Sequence, residues 1–219
     1  MPELGLARAL YQMAAAIIAV FVSQAAVAAP ARQQLVLAYG DSLMAGYQLR
    51  PGEGFAPQLE KALKAKGRNV TVVGAGVSGD TSTQGRARLG WVLAGLKQAP
   101  DVVILELGAN DMLRGQSPKT ARENVDAMVK AFTAKGARVL LAGMRASPNL
   151  GRAYVTEFEA LYPAVAKANG VALYPFFLDG VAAQPGLQLA DGMHPNPKGV
   201  GVMVNRILPA VERVLDAKR

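Results

Sequence analysis

The feature that most constrains this chain is an alternation. Five short, almost wholly apolar runs, Leu35 to Tyr39, Val70 to Gly74, Val102 to Leu107, Ala137 to Gly143 and Val171 to Tyr174, have the length of strands. Between them lie segments with helical periodicity at about Phe55 to Lys66, Thr83 to Lys97, Pro118 to Lys135 and Arg152 to Asn169, and another follows from about Pro197 to Asp216. A run such as Val102-Val103-Ile104-Leu105 has no polar face, so it suits a parallel sheet covered on both sides. The pattern predicts a doubly wound α/β fold: three layers, α/β/α, around a five-stranded parallel sheet.

In such a sheet, ligands bind in the crevice beyond the carboxyl ends of the strands. Four polar or glycine-rich segments follow strands here: Gly40-Asp41-Ser42-Leu43, Gly76-Val77-Ser78-Gly79-Asp80, Gly108-Ala109-Asn110-Asp111, and a longer loop containing Asp191-Gly192-Met193-His194-Pro195. All four are expected at one end of the sheet. The string Gly74-Ala75-Gly76-Val77-Ser78-Gly79 matches a dinucleotide-binding spacing, but it follows the second strand, and some 20 positions on, where an acidic strand end would hold a ribose, Trp91 to Pro100 reads as helix and loop. It does not argue for a nucleotide cofactor.

The four segments together contain what acyl transfer needs: a nucleophile, a base, a group that orients the base, and donors for an oxyanion. Ser42 stands where a buried strand turns, and His194 is the only histidine. Asp191, three residues earlier, has a spacing that can bring its carboxylate to the imidazole N–H that the base does not use. The backbone N–H groups of Ser42 and Gly79 and the side-chain amide of Asn110 are the expected oxyanion donors. Asp41 and Asp111 are expected to bond loop amides rather than react. The apolar residues Met112, Leu113, Pro148 and Leu150 follow the third and fourth strands and are expected to lie against an acyl chain. Taken singly, Ser42 could be a helix cap, and His194, Asp191 and Asn110 ordinary loop residues. Those readings do not explain why every piece follows a different strand of one sheet.

Gly-Asp-Ser-Leu at 40–43, Gly79, Gly-x-Asn-Asp at 108–111 and Asp-x-x-His at 191–194 resemble, in order and over nearly the whole chain, the SGNH or GDSL hydrolases. The longer strings Gly-Asp-Ser-Leu-Met-Ala-Gly-Tyr, Val-Ser-Gly-Asp-Thr-Ser, Glu-Leu-Gly-Ala-Asn-Asp-Met-Leu-Arg-Gly and Asp-Gly-Met-His-Pro-Asn look like its bacterial periplasmic branch of thioesterases, lysophospholipases and arylesterases. The resemblance implies a flavodoxin-like sheet, no metal or organic cofactor, and the four name-giving roles for Ser42, Gly79, Asn110 and His194, with Asp191 completing the triad. It implies small-molecule acyl esters, thioesters or lysophospholipids as substrates. One departure is Gly74-Ala75-Gly76, where close relatives tend to carry Asn-Ala-Ser, which bears on the rigidity of that loop. Two alternatives share these features: a carbohydrate O-deacetylase using the same triad, and a catalytically idle lipid-binding envelope protein.

The remaining composition bounds compartment and partners. Residues 1–28 read as an export signal: Arg8 precedes an apolar run from Met13 to Val22, and Ala26-Val27-Ala28 offers a small-residue cleavage site. The run is too short for a stop-transfer helix. A periplasmic or secreted protein with one domain over residues 29–219 is expected. The net charge of +8 survives cleavage, because Glu3 and Arg8 cancel. Lysines and arginines are scattered without a dense run, which speaks against nucleic acid and fits attraction to an anionic membrane surface or a phosphate-bearing substrate. The absence of cysteine excludes disulfides, thiolate catalysis and thiolate metal sites. No obligate protein partner is indicated.

Overall fold

Strands that are apolar on both faces must be covered on both faces, and the chain does this with crossover helices. The computed structural model describes residues 32–217, so the expected export signal lies outside the described residues. Strands β1 (Gln34–Gly40), β2 (Val70–Gly76), β3 (Val102–Glu106), β4 (Arg138–Ala142) and β5 (Ala172–Tyr174) form one parallel sheet in the order β2-β1-β3-β4-β5. The helices are α1 (Ser42–Ala45), α2 (Phe55–Ala65), α3 (Ser82–Gly95), α4 (Ala109–Leu113), α5 (Pro118–Ala134), α6 (Arg152–Asn169) and α7 (Pro197–Asp216). The expected strands and long helices are all present, with ends within two residues of expectation. The short α1 and α4, and 3-10 turns at Pro148–Leu150 and Pro185–Leu187, are additions.

Apolar spacing decides which helix faces turn inward. In α2 Phe55, Leu59 and Leu63 recur every fourth residue and are fully buried; in α5 Val125, Met128, Val129 and Phe132 do the same at helical spacing. Helices α2 and α7 pack together on one face, while α3, α5 and α6 pack in series on the other. Between them, Val36, Leu37, Ala38 and Tyr39 of β1 lose all solvent contact. Burying a side chain the size of valine or leucine contributes about 1.5–3 kcal/mol, so the central strands anchor the core from which the site loops leave.

From β1 the chain passes to β2 on one side of the sheet and then crosses to β3 on the other. The segments leaving β1 and β3 therefore diverge, and a crevice opens at their carboxyl ends.

Candidate active site

Ser42 is the first residue of α1, immediately after β1. Asp41 caps this short helix by accepting the Leu43 N–H at 3.0 Å through Oδ1. The Ser42 hydroxyl has two acceptors in reach: His194 Nε2 at 2.9 Å and Asp41 Oδ1 at 3.4 Å. The shorter contact, to the imidazole, is the stronger.

The loop before α7 holds His194 from several directions. Asp191 Oδ1 accepts the backbone N–H groups of Met193 and His194 at 2.9 and 3.0 Å, and Oδ2 lies 2.7 Å from His194 Nδ1. Asp191 thus acts as turn former and imidazole partner at once, the two readings its spacing allowed. Those N–H groups, then the imidazole, hold its carboxyl down at about 2, so it is ionised and accepts the Nδ1 proton. Nε2 is left as the acceptor that faces Ser42. The loop is pinned to α7 by Asn196, which caps that helix through Lys198 and Gly199 and donates its amide to the carbonyls of Gly186 and Gln188. The ring of Tyr47 lies 4.4 Å from the imidazole centroid.

The expected oxyanion donors are distributed unequally. Neither the Ser42 nor the Gly79 N–H has an acceptor among the described residues. Gly79 has φ of +86°, a conformation that L side chains rarely adopt, and Arg114 clamps its carbonyl at 2.7 Å. Asn110 is already engaged: its Nδ2 donates to Asp41 Oδ2 and to the Asp80 carbonyl, each at 3.0 Å. An oxyanion must share one of these protons or displace one of these acceptors. Asp111 does not face Ser42; it accepts the Ser82 N–H and hydroxyl at 2.7 and 2.6 Å at the start of α3.

Gly76 ends β2 against the back of α1, where a Cβ would lie 2.2 Å from Ala45 N and 2.6 Å from the Asp41 carbonyl oxygen. Here the departure at Gly74-Ala75-Gly76 has a packing role. The same string starts no helix directly, since a turn at Ser78-Gly79 precedes the capping box of Thr81 and Gln84; it is the end of a strand, as its position implied.

Beside Ser42 opens a cleft of about 670 Å³. Of the residues expected to lie against an acyl chain, Met112, Leu113 and Pro148 line it. Leu150 does not: it closes the turn Pro148–Leu150 and stands outside the lining, 37% exposed. Met144, Phe176, Leu178, Ala182 and Met193, none of them expected, add to the apolar wall. Phe176, Leu178 and Ala182 belong to a long irregular stretch after β5 with no hydrophobic period to mark them. Among the described residues no cluster of potential metal ligands occurs.

Buried beneath the site, Asp41 and Glu106 bring two carboxyl groups into contact; burial raises both, Asp41 to about 6, and the charge of Asp41 also opposes ionisation of Glu106.

The sequence and the fold have counterparts among known proteins. The Esterase TesA of Pseudomonas aeruginosa is 39% identical over 185 residues, covering 84% of this chain and 91% of that protein. The Thioesterase 1/protease 1/lysophospholipase L1 of Escherichia coli K12 is 39% identical over 161 residues, covering 74% and 75%. The solved structure of AlinE4, an SGNH-hydrolase family esterase, superposes with a TM-score of 0.72 at 42% identity, covering 86% of this chain and all of that one. Residues 38–202, from β1 into α7, match the family model as well, and the chain belongs to the GDSL-like lipase/acylhydrolase family.

Proposed function

We propose that this enzyme hydrolyses acyl esters and thioesters by two-step transfer through Ser42. The observation that carries the reading is one line of contacts, Asp191 Oδ2 to His194 Nδ1 at 2.7 Å and His194 Nε2 to Ser42 Oγ at 2.9 Å, opening onto an apolar cleft. Ser42 Oγ bonds to the acyl carbon as Nε2 takes its proton, and the carbonyl electron pair moves to oxygen. The N–H groups of Ser42 and Gly79 receive that oxyanion, and the Asn110 amide adds a third donor by sharing a proton. The imidazolium returns its proton to the departing alkoxide or thiolate. Water then repeats the cycle on the acyl-enzyme, releasing the acid and restoring Ser42.

The apolar walls favour an acyl chain over a sugar, which sets this reading above carbohydrate deacetylation. Lysophospholipids satisfy the same cleft and bring a phosphate that suits the basic chain. We place the mature enzyme in the periplasm or outside the cell, on the character of residues 1–28.

The test is hydrolysis of p-nitrophenyl butyrate and butyryl-CoA, with Ser42→Ala and His194→Ala for comparison. Both variants should fall to near background with the fold retained, and a fluorophosphonate should label Ser42 alone. Full activity in either variant rejects the assignment.

A further inference from the structure

The two-step mechanism leaves the carboxyl pair beneath the nucleophile unused. Glu106 ends β3, a strand whose other residues are Val, Val, Ile and Leu, and it is fully buried. Its Oε2 lies 3.5 Å from the Asp41 backbone N, its carboxyl is in hydrogen-bond contact with that of Asp41, and its Oε1 has no hydrogen-bond partner among the described residues. Among those residues no cation pairs with it. The titratable groups around the pair are Asp111 and the Tyr162 hydroxyl, which donates to the Leu107 carbonyl, and on the far side of Asp41 the His194 imidazole.

Two touching carboxylates held out of water do not both ionise, and the one that keeps the proton becomes a donor to the other. Glu106 is the deeper of the two, and its carboxyl has no other side-chain partner. Asp41, by contrast, spends its oxygens on the reaction centre: Oδ1 holds the Leu43 N–H and faces Ser42 Oγ, and Oδ2 holds the Asn110 amide. We propose that Glu106 is a positioning acid whose protonated carboxyl donates to Asp41, fixing that carboxylate between the Ser42 turn and the Asn110 amide. A misplaced Asp41 would release both the nucleophile and an oxyanion donor.

A buried acid kept only for packing has no such directionality, and an apolar residue of similar volume would fill the space at lower desolvation cost. The neighbouring backbone is also shaped to the carboxyl: a Cβ at Gly40 would lie 2.7 Å from Glu106 Oε2. The inference rests on the proposed roles of Ser42 and Asn110.

The experiment compares Glu106→Gln, Glu106→Leu and Glu106→Met using p-nitrophenyl butyrate and a trifluoromethyl ketone analogue of the tetrahedral intermediate, with Ser42→Ala as baseline. A glutamine amide can still donate to Asp41, so Glu106→Gln should keep kcat within about threefold of the parent. Leucine and methionine cannot donate. Their kcat should fall about tenfold or more, with KM changed less than about twofold and analogue affinity lowered in parallel. A folded leucine or methionine variant with parental kcat overturns the proposal, as does a glutamine variant that loses tenfold. Should neither apolar variant fold, the glutamine result alone decides. Activity in Ser42→Ala would reject the underlying site instead, whatever the Glu106 variants do.

Discussion

The ring of Tyr47 lies over the imidazole of His194, centroids 4.4 Å apart and planes inclined by 35°. The contact covers one face of the imidazole, whose two ring nitrogens face Asp191 and Ser42. The Tyr47 hydroxyl points elsewhere and accepts from the neighbouring Gln48 amide at 3.1 Å. What matters is therefore the ring and not its oxygen. Tyr47→Ala should lower kcat/KM about tenfold by loosening the imidazole, a fraction of what loss of the base would cost. Tyr47→Phe should change it less than about twofold, because the ring contact is kept. Steady-state kinetics on p-nitrophenyl butyrate decide between them, and equal damage in both variants would assign the role to the hydroxyl.

Asp191 gives a second prediction with a definite pH window. Its carboxyl is held at about 2, below the ordinary carboxylate value of about 4, so it stays ionised throughout the working range of a hydrolase. The acid limb of a pH–rate profile thus does not come from Asp191. Because the folded value is the lower one, its ionised form contributes stability above pH about 4, and that contribution is lost as the pH falls toward 2. Its side chain is a third exposed, which keeps the contribution small. Asp191→Asn should cut kcat on the order of 10³–10⁴-fold by removing the acceptor that fixes the tautomer. Its melting temperature should lie slightly below the parental one at pH 7 and converge with it near pH about 2. A variant that keeps its kcat would show that the imidazole is oriented by other contacts.

How much of this was legible in the sequence depended on whether the signal was local. The strands and long helices are written in apolar spacing over at least one turn or several strand residues, as in Phe55, Leu59 and Leu63. Helices α1 and α4 are too short to show any period, so Ser42 read only as a turn. The Asp191–His194 pairing was visible because the two are close along the chain. The engagement of Asn110 with Asp41 and Asp80 was not, since it joins segments 69 and 30 residues apart. Glu106 did leave a trace, a lone acid closing a strand of Val, Val, Ile and Leu, but nothing local says what it faces.

The approach of β2 to α1 yields a prediction about the glycine between them. An alanine at Gly76 places its methyl 2.2 Å from Ala45 N and 2.5 Å from Met44 C, both backbone, so α1 itself has to move. Gly76→Ala should cost about 1–3 kcal/mol, in the range of overpacked interiors, and lower kcat by shifting Ser42. Gly90, in the interior of α3, would have nothing within 4 Å of an added methyl. Gly90→Ala should stabilise by about 0.5–1 kcal/mol through reduced backbone entropy and leave kinetics alone. Chemical denaturation of the two variants, with kcat measured alongside, separates close packing at the site from a general response to added methyl groups.

The cleft wall makes the last prediction quantitative. Each methylene buried against Met112, Leu113, Phe176 and Leu178 is worth about 0.8 kcal/mol, or about a fourfold gain in kcat/KM per added CH₂ while the cleft has room. A series of p-nitrophenyl esters from acetate upward should climb at about that slope and then level off where the chain leaves the apolar wall. Ala182 is a small side chain in the wall after β5, so Ala182→Phe should bring the levelling point to a shorter chain while leaving acetate hydrolysis near the parental rate. Leu150 lies outside the cleft, and Leu150→Ala should leave the profile where it was. If Leu150→Ala moves the optimum and Ala182→Phe does not, the acyl chain runs over the 3-10 turn at Pro148–Leu150 rather than along the wall formed by Phe176, Leu178 and Ala182.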